Sequence, residues 1–368
     1  MENTITHVAI DDSAKKLTVA MLPAGEAVPR LLTVENERGK VRRFAKRVLA
    51  DSGGRVRACY EAGPLGFELW RWLEEDGIPC QVAAPSLTPR QPGQRVKTDK
   101  RDAKKLLGLF QAGQLTWIAV PTPEQEAARD LTRCLTTSRV DLLRAWNRVG
   151  KFLLRHGRRW TGKGHTVAHR TWLREQTFEN PTLNDTLDLY RYALDQAETR
   201  FAKSEERVTA LAGSERYSEK VAWLSCLRGV SVIVAMVVLT EVHGVERFKH
   251  PRQLMAFLGL VPSEHSTGDR RRQGGITKTG SPHVRWALVQ MAKAMRTAPG
   301  RSKIIARRRM NQPVRVVAIA ERAEARGHAV YKRLRNRGKE PNKVTIAIAR
   351  EQVGFIWDIL VNHPEATT

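Results

Sequence analysis

The chain has 368 residues, 41% of them hydrophobic, with 63 Lys and Arg against 38 Asp and Glu, a formal net charge of +25. That length predicts two or three domains of roughly 100–200 residues each, and the apolar content excludes global disorder. An excess of positive charge on this scale repels itself and calls for a polyanion; nucleic acid supplies one, since each phosphate neutralised by Lys or Arg releases counterions. No apolar run reaches the ~18 residues of a membrane span, and Met1-Glu2-Asn3-Thr4 lacks the form of a signal peptide, so a cytoplasmic protein with no membrane association is expected.

His7 to Asp11, Lys16 to Leu22 and Arg30 to Val34 read as strands, Val41 to Ala50 as a helix, and Arg55 to Tyr60 as a further strand. Gly66 to Glu75 reads as an amphipathic helix, Cys80 to Ala83 as a strand and about Lys100 to Ala112 as a helix. Strands mixed with crossover helices predict an α/β layered domain over residues 1–122, closed by Pro121 and Pro123. From Glu124 to Leu154, and again from about Leu183 to Leu211, apolar residues recur at helical spacing. Two such helices around the basic stretch Arg155 to Arg174 predict an antiparallel hairpin over 123–213, either a coiled coil used to dimerise or an intramolecular bundle. Residues 214–368 read as mainly helical, with a loop rich in Gly, Ser and Arg between Pro262 and Pro282. Closing helices at about Val314 to Arg326 and Lys343 to Leu360 flank a basic turn, Arg333 to Lys339. Cys59, Cys80, Cys134 and Cys226 lie far apart with no C-x-x-C and are expected to be unpaired.

Four acidic residues are placed as divalent-metal chemistry on phosphodiesters requires. Asp11 ends the apolar run Val8-Ala9-Ile10, where an unpaired charge is costly and a cation would relieve the cost. Glu61 repeats the arrangement after Val56 to Tyr60, with Gly63 and Gly66 following. Asp99 and Asp102 stand three apart at a helix start and share one face, where either could instead be a cap. Asp12 points to the opposite strand face and is expected to be solvated. Oxygen ligands suit Mg²⁺ or Mn²⁺ without choosing between them.

The stretches Ala9-Ile10-Asp11-Asp12-Ser13-Ala14-Lys15, Tyr60-Glu61-Ala62-Gly63 and Lys97-Thr98-Asp99-Lys100-Arg101-Asp102-Ala103 resemble the signature of the insertion-sequence-110 family of DEDD transposases. A second block, Phe257 to Gly268 followed by Gly275-Ile276-Thr277-Lys278-Thr279-Gly280, resembles the family's C-terminal transposase domain. The resemblance implies a ribonuclease H-like (RuvC-like) N-terminal domain holding Mg²⁺, a coiled-coil connection and a mainly α C-terminal domain. It also implies a serine nucleophile that forms a covalent link to DNA, a structured guide RNA encoded by the element, and a homodimer that assembles into a tetramer on donor and target DNA. The family's short motif ends in Ser-Gly, and alignment on that glycine places Thr267 at the nucleophile position, with Ser266 one residue earlier. Both hydroxyls are candidates. The segment Leu227 to Ile233 resembles a helix-hairpin-helix turn but lacks its second glycine.

Around these groups, Arg270, Arg271 and Arg272 are candidates to neutralise the scissile phosphate, or to make nonspecific phosphate contacts from an exposed loop, and Lys278 is a candidate for nucleic-acid binding. Arg158, Arg159 and Lys163 are candidates for nucleic-acid binding. Trp146, Trp160, His165, His169 and Trp172 interleave with them and are read either as a stacking platform for unpaired bases or as core rings at helical spacing. Two rival functions use the same residues: a RuvC-like structure-specific endonuclease, which needs the carboxylates without the hydroxyl, and a noncatalytic nucleic-acid-binding protein such as a decayed transposase.

Overall fold

Side chains alternating between two covered faces organise the N-terminal part of the chain. The computed structural model describes residues 5–89, 98–264, 267, 272–300 and 302–362. Thr6–Asp12 (β1), Lys16–Leu22 (β2), Arg30–Glu35 (β3), Val56–Glu61 (β4) and Cys80–Ala83 (β5) form one sheet in the order β3-β2-β1-β4-β5. β2 is antiparallel to β1 and β3, whereas β4 is parallel to β1 and β5. Val8 and Ile10 of β1 join Tyr60 on one face, covered by Arg38–Asp51 (α1) and Glu68–Glu75 (α2). Ala9, Ala20, Cys59 and Ala83 line the other face, where Asp99–Gln111 (α3) lays down Ala103, Leu106, Leu107 and Phe110. The result is a helix–sheet–helix sandwich, and small side chains beneath α3 let it approach the sheet closely.

The chain divides after Pro121 into two compact units. The second opens with Pro123–Arg155 (α4), whose start is set by a capping box between Thr122 and Gln125 and by Pro123 in the first turn. Val167–Glu175 (α5), Pro181–Ala212 (α6), Glu215–Ser225 (α7), Val232–Val242 (α8) and Pro251–Phe257 (α9) follow. After a two-stranded ribbon come Pro282–Lys293 (α10), Lys303–Arg309 (α11), Val314–Asn336 (α12) and Pro341–Val361 (α13). α4 and α6 are antiparallel: the Phe152 and Tyr190 rings meet at 5.4 Å, and Arg200 reaches Asp141 at 2.9 Å. Among the described residues no helix is long and apolar enough to cross a membrane.

Two cores stabilise this hairpin. At its tip Trp146, Val149, Leu153, Leu173, Leu187 and Leu194 pack together. At its base Ala128, Leu135, Val208 and Ala212 belong to the large core formed by α7, α8, α10, α12 and α13. Polar pairs pin the base as well. The Thr132 and Thr240 hydroxyls are 2.9 Å apart, Thr136 Oγ1 and His283 Nδ1 are 2.8 Å apart, and Arg133 donates to both carboxylate oxygens of Glu241 at 2.6 and 2.9 Å. Burial pushes the Glu241 carboxyl upward, but the hydrogen bonds and charge of Arg133, with Ser281 and His283, outweigh it and leave the group below its ordinary value.

Several elements differ from the reading of the sequence. The basic stretch after α4 contains a helix, α5, capped by the Thr166 hydroxyl, which accepts from the His169 amide. α12 continues past Arg326 to Asn336, so Arg333 and Arg335 are helical rather than part of a turn. The Gly-, Ser- and Arg-rich segment contains the antiparallel ribbon Pro262–Glu264 (β6) and Gln273–Ile276 (β7). All four cysteines are free, with Cys59, Cys80 and Cys226 buried and Cys134 exposed.

Arg133→Ala should destabilise the protein by about 3 kcal/mol, the lower end for a buried pair losing one member, because the Arg133 side chain is 42% exposed while that of Glu241 is 2% exposed. Adding Glu241→Leu should restore most of the loss in urea denaturation; a double variant no better than the single one would show that the pair does not pin the hairpin.

Candidate active site

Asp11 and Glu61 occupy the ends of neighbouring parallel strands. The register pairs Ile10 with Tyr60, which sets Asp11 and Glu61 one step further along, on the same face as Ala9 and Cys59. That is the face covered by α3. The helix runs opposite to β1: its end is fixed by Phe110, whose ring meets His7 at 5.3 Å, and its start by Asp99, 3.1 Å from Lys16 Nζ at the β1–β2 hairpin. The first turn of α3, with Asp99 and Asp102, therefore lies at the end of the sheet where Asp11 and Glu61 stand. The sheet and α3 thus bring all four sequence-predicted carboxylates to one end of one face. Asp11 and Asp102 are half-buried; Glu61 and Asp99 are exposed. Neither aspartate of α3 is its cap, since Thr98 fills that role by accepting from the Arg101 amide.

Among the described residues, no group of three His, Cys, Asp or Glu side chains is arranged to hold a metal ion as it stands. An all-carboxylate donor set on one face fits a hard divalent cation in chemistry and in placement; enclosing one requires side-chain rotation, with Asp99 turning away from Lys16. Asp12, expected to be solvated, is instead half-buried on the opposite face and accepts from Asn36 Nδ2 at 3.1 Å. Burial, together with the neighbouring Asp11 charge, raises its carboxyl to about 6 against the Asn36 hydrogen bond.

The second sequence-predicted group centres on the β6–β7 ribbon. Ser266, Arg270 and Arg271 lie outside the described residues; Thr267, Arg272 and Lys278 are exposed. The root of the ribbon is tightly held. A Cβ on Gly259 would come within 2.4 Å of the Thr279 backbone, and one on Gly280 within 2.2 Å of the Phe257 carbonyl; both glycines have positive φ. Arg285 donates to the carbonyls of Leu258, Thr279 and Gly280, and Lys278 N–H donates to Gly259 O at 3.1 Å. These contacts went unread in the sequence, although Gly259 and Gly280, flanking the ribbon, were the available signal. Gly259→Ala should cost more than ~1 kcal/mol, since alanine at positive φ adds strain to a backbone clash. An unchanged unfolding midpoint would show that the root yields freely.

At the hairpin tip the aromatic residues stack on one another. Trp146 is 4.7 Å from His165 and 4.8 Å from His169, and Trp160 is 5.2 Å from His169. Trp146 is buried, and Gly162 lies against the Trp160 ring, where a Cβ would approach within 2.6 Å. Arg158 donates to the Thr177 carbonyl and lies over Phe178, whereas the Arg159 and Lys163 side chains are exposed. Trp146 and Trp172 therefore belong to the satellite core at the tip, while Trp160 and His169 are half-buried and His165 is exposed at its edge. Burial, aided by the neighbouring His165, lowers the pKa of His169. The neutral ring is favoured in the fold, so its contribution is present above the ordinary histidine value of about 6.5 and is lost as pH falls below it. An NMR titration should find His169 titrating below that value; titration at or above it would mean a solvated ring.

Residues 222–305, which include α8, α9, the ribbon and α10, match the model of the transposase IS116/IS110/IS902 family. A putative transposase, y4qE, of Sinorhizobium fredii is 40% identical over 367 residues, covering 98% of this chain and 90% of the relative. The transposase for insertion sequence element IS1533 of Leptospira borgpetersenii is 31% identical over 339 residues, 91% of this chain and 98% of the relative. The transposase for insertion sequence element IS1111A of Coxiella burnetii is 26% identical over 226 residues, 60% of each chain. With an α/β unit gathering four carboxylates and a basic helical unit, the class is that of a transposase, an enzyme whose substrate is DNA. The chain belongs to the IS116/IS110/IS902 family of transposases.

Proposed function

We propose that this transposase excises and integrates its insertion sequence by metal-assisted DNA strand cleavage and exchange, through a covalent protein–DNA intermediate. The observation that carries the reading is the gathering of Asp11, Glu61, Asp99 and Asp102 at one end of the α3 face. Strand order β3-β2-β1-β4-β5, with only β2 reversed relative to its neighbours β1 and β3, supports a ribonuclease H-like, RuvC-like first unit. Asp11, Glu61, Asp99 and Asp102 would hold Mg²⁺ or Mn²⁺, which stabilises negative charge on a leaving oxygen when bound.

The nucleophile is the hydroxyl of Ser266 or Thr267. Its oxygen bonds to phosphorus as the bond to the 3′ oxygen breaks; the hydroxyl proton leaves and the 3′ end departs as an alcohol. Arg272 and Lys278, with Arg270 and Arg271, would offset charge on the scissile phosphate. Because hydroxyl and carboxylates belong to different compact units, cleavage can be made to depend on assembly of the active complex. The α4–α6 hairpin is the candidate coiled coil for a dimer that forms a tetramer, and Arg158, Arg159 and Lys163 at its tip are candidate contacts for DNA or for a structured guide RNA. The +25 charge supports a polyanionic partner of this extent.

Asp11→Ala should abolish strand exchange while leaving nucleic-acid binding largely intact; retained exchange would remove Asp11 from the site. Ser266→Ala and Thr267→Ala, compared for protein–DNA adducts, should identify the attacking oxygen. Divalent-dependent cleavage leaving free 5′ phosphates and no adduct would point instead to a structure-specific endonuclease.

A further inference from the structure

The C-terminal unit contains a cavity of about 240 Å³ between α4, α6, the start of α8 and α10. It is smaller than the ~300–1,000 Å³ typical of drug-sized ligands, which limits it to a single ring system. Its walls combine two chemistries. Phe201 and Ile233 contribute apolar surface, while Arg139, Glu205, Trp286 and Gln290 converge on the same space. The Arg139 guanidinium lies over the Trp286 ring, 5.0 Å from its centroid, and among the described residues Arg139 makes no ion pair. An exposed, planar cation over an aromatic ring can offer its outer face as a stacking surface.

We propose that this cavity receives one unpaired nucleobase of the bound nucleic acid, stacked on Arg139 and carrying an exocyclic amino group. A bare phosphate fits poorly, because the apolar wall offers it no hydrogen bond and the Glu205 carboxylate repels it. A base satisfies both surfaces. Its ring covers Phe201 and Ile233, and its amino group donates to Glu205. Gln290 has its Oε1 engaged by Lys293 Nζ at 3.3 Å, which leaves its amide N–H groups to donate to a ring nitrogen or carbonyl of the base. Adenine, cytosine and guanine carry such an amino group; thymine and uracil offer only an imide N3–H between two carbonyls, whose oxygens the Glu205 carboxylate repels, and are disfavoured. Removing a base from its stack costs a few kcal/mol and least where it is already unpaired, so the pocket selects a mismatched, bulged or single-stranded position. It would hold a distorted strand in place independently of the carboxylates and of the hydroxyl.

The test is photocrosslinking with a DNA duplex carrying one unpaired 5-iodocytosine, and in parallel with an RNA of the same sequence carrying 5-iodocytosine, followed by peptide mapping. An adduct on Phe201, the aromatic ring the base would cover, is expected with either probe, with the productive probe assigning the source of the base. The 5-iodouracil counterpart should give several-fold less. Arg139→Ala and Gln290→Leu should each reduce the adduct at least fivefold while the unfolding midpoint and the circular dichroism spectrum are retained. Binding of both probes without a Phe201 adduct would overturn the proposal, as would adducts indifferent to both substitutions or equal for cytosine and uracil. Because the readout is a crosslink rather than strand exchange, it separates this pocket from the cleavage chemistry.

Discussion

Burial of the Glu241 carboxylate is the constraint that ties the long hairpin to the rest of the second unit. α8 is apolar along most of its length, and Glu241 near its end would be too costly to bury alone. Its partner, Arg133, comes from α4, more than a hundred residues earlier. Satisfying the charge therefore binds the root of a long hairpin to the helices that follow it, and neighbouring Thr132 and Thr136 repeat the same linkage to α8 and α10. The domain identified by the family match, residues 222–305, is thus completed by side chains from outside its own span.

The first unit follows a simpler rule. Alternation along β1 and β4 sends Ile10 and Tyr60 to one layer and Ala9 and Cys59 to the other, and the carboxylates inherit their side of the sheet from those neighbours. Having a helix cover that face with alanine and leucine, then begin with two aspartates, concentrates acid at one rim. The unlike fates of Asp11 and Asp12 show how much one residue of register matters: Asp12 instead bonds Asn36 on the opposite side.

Much of this was legible in the residues themselves. Strand and helix periodicity located the five strands and three helices of the first unit to within a few residues, and placed Asp11 and Glu61 at strand ends. The failures have physical causes. β6 and β7 are only three and four residues long, and Gln273-Gly274-Gly275-Ile276 carries no alternation to read. α12 was expected to stop before Gly327, a residue that weakens helices in isolation. Here it is tolerated because a Cβ would lie 2.9 Å from both Gln352 and Met295, so close packing against α13 and Met295 requires its absence. Helical spacing favoured core over platform for the rings at the hairpin tip without sorting them one by one; burial assigns Trp146 and Trp172 to the core and leaves His165 exposed.

The length of α4 has a mechanical consequence. Among the described residues its hydrogen bonds to α8 and α10 end at Thr136, while the helix continues to Arg155, an overhang of about 28 Å at 1.5 Å per residue. A bend of about 10° at the last pin would swing the far end by roughly 5 Å, close to one helical pitch. Such a swing would carry with it the satellite core and the exposed Arg159 and Lys163 beside it, on a lever whose fulcrum lies about one turn beyond the Arg133–Glu241 pair.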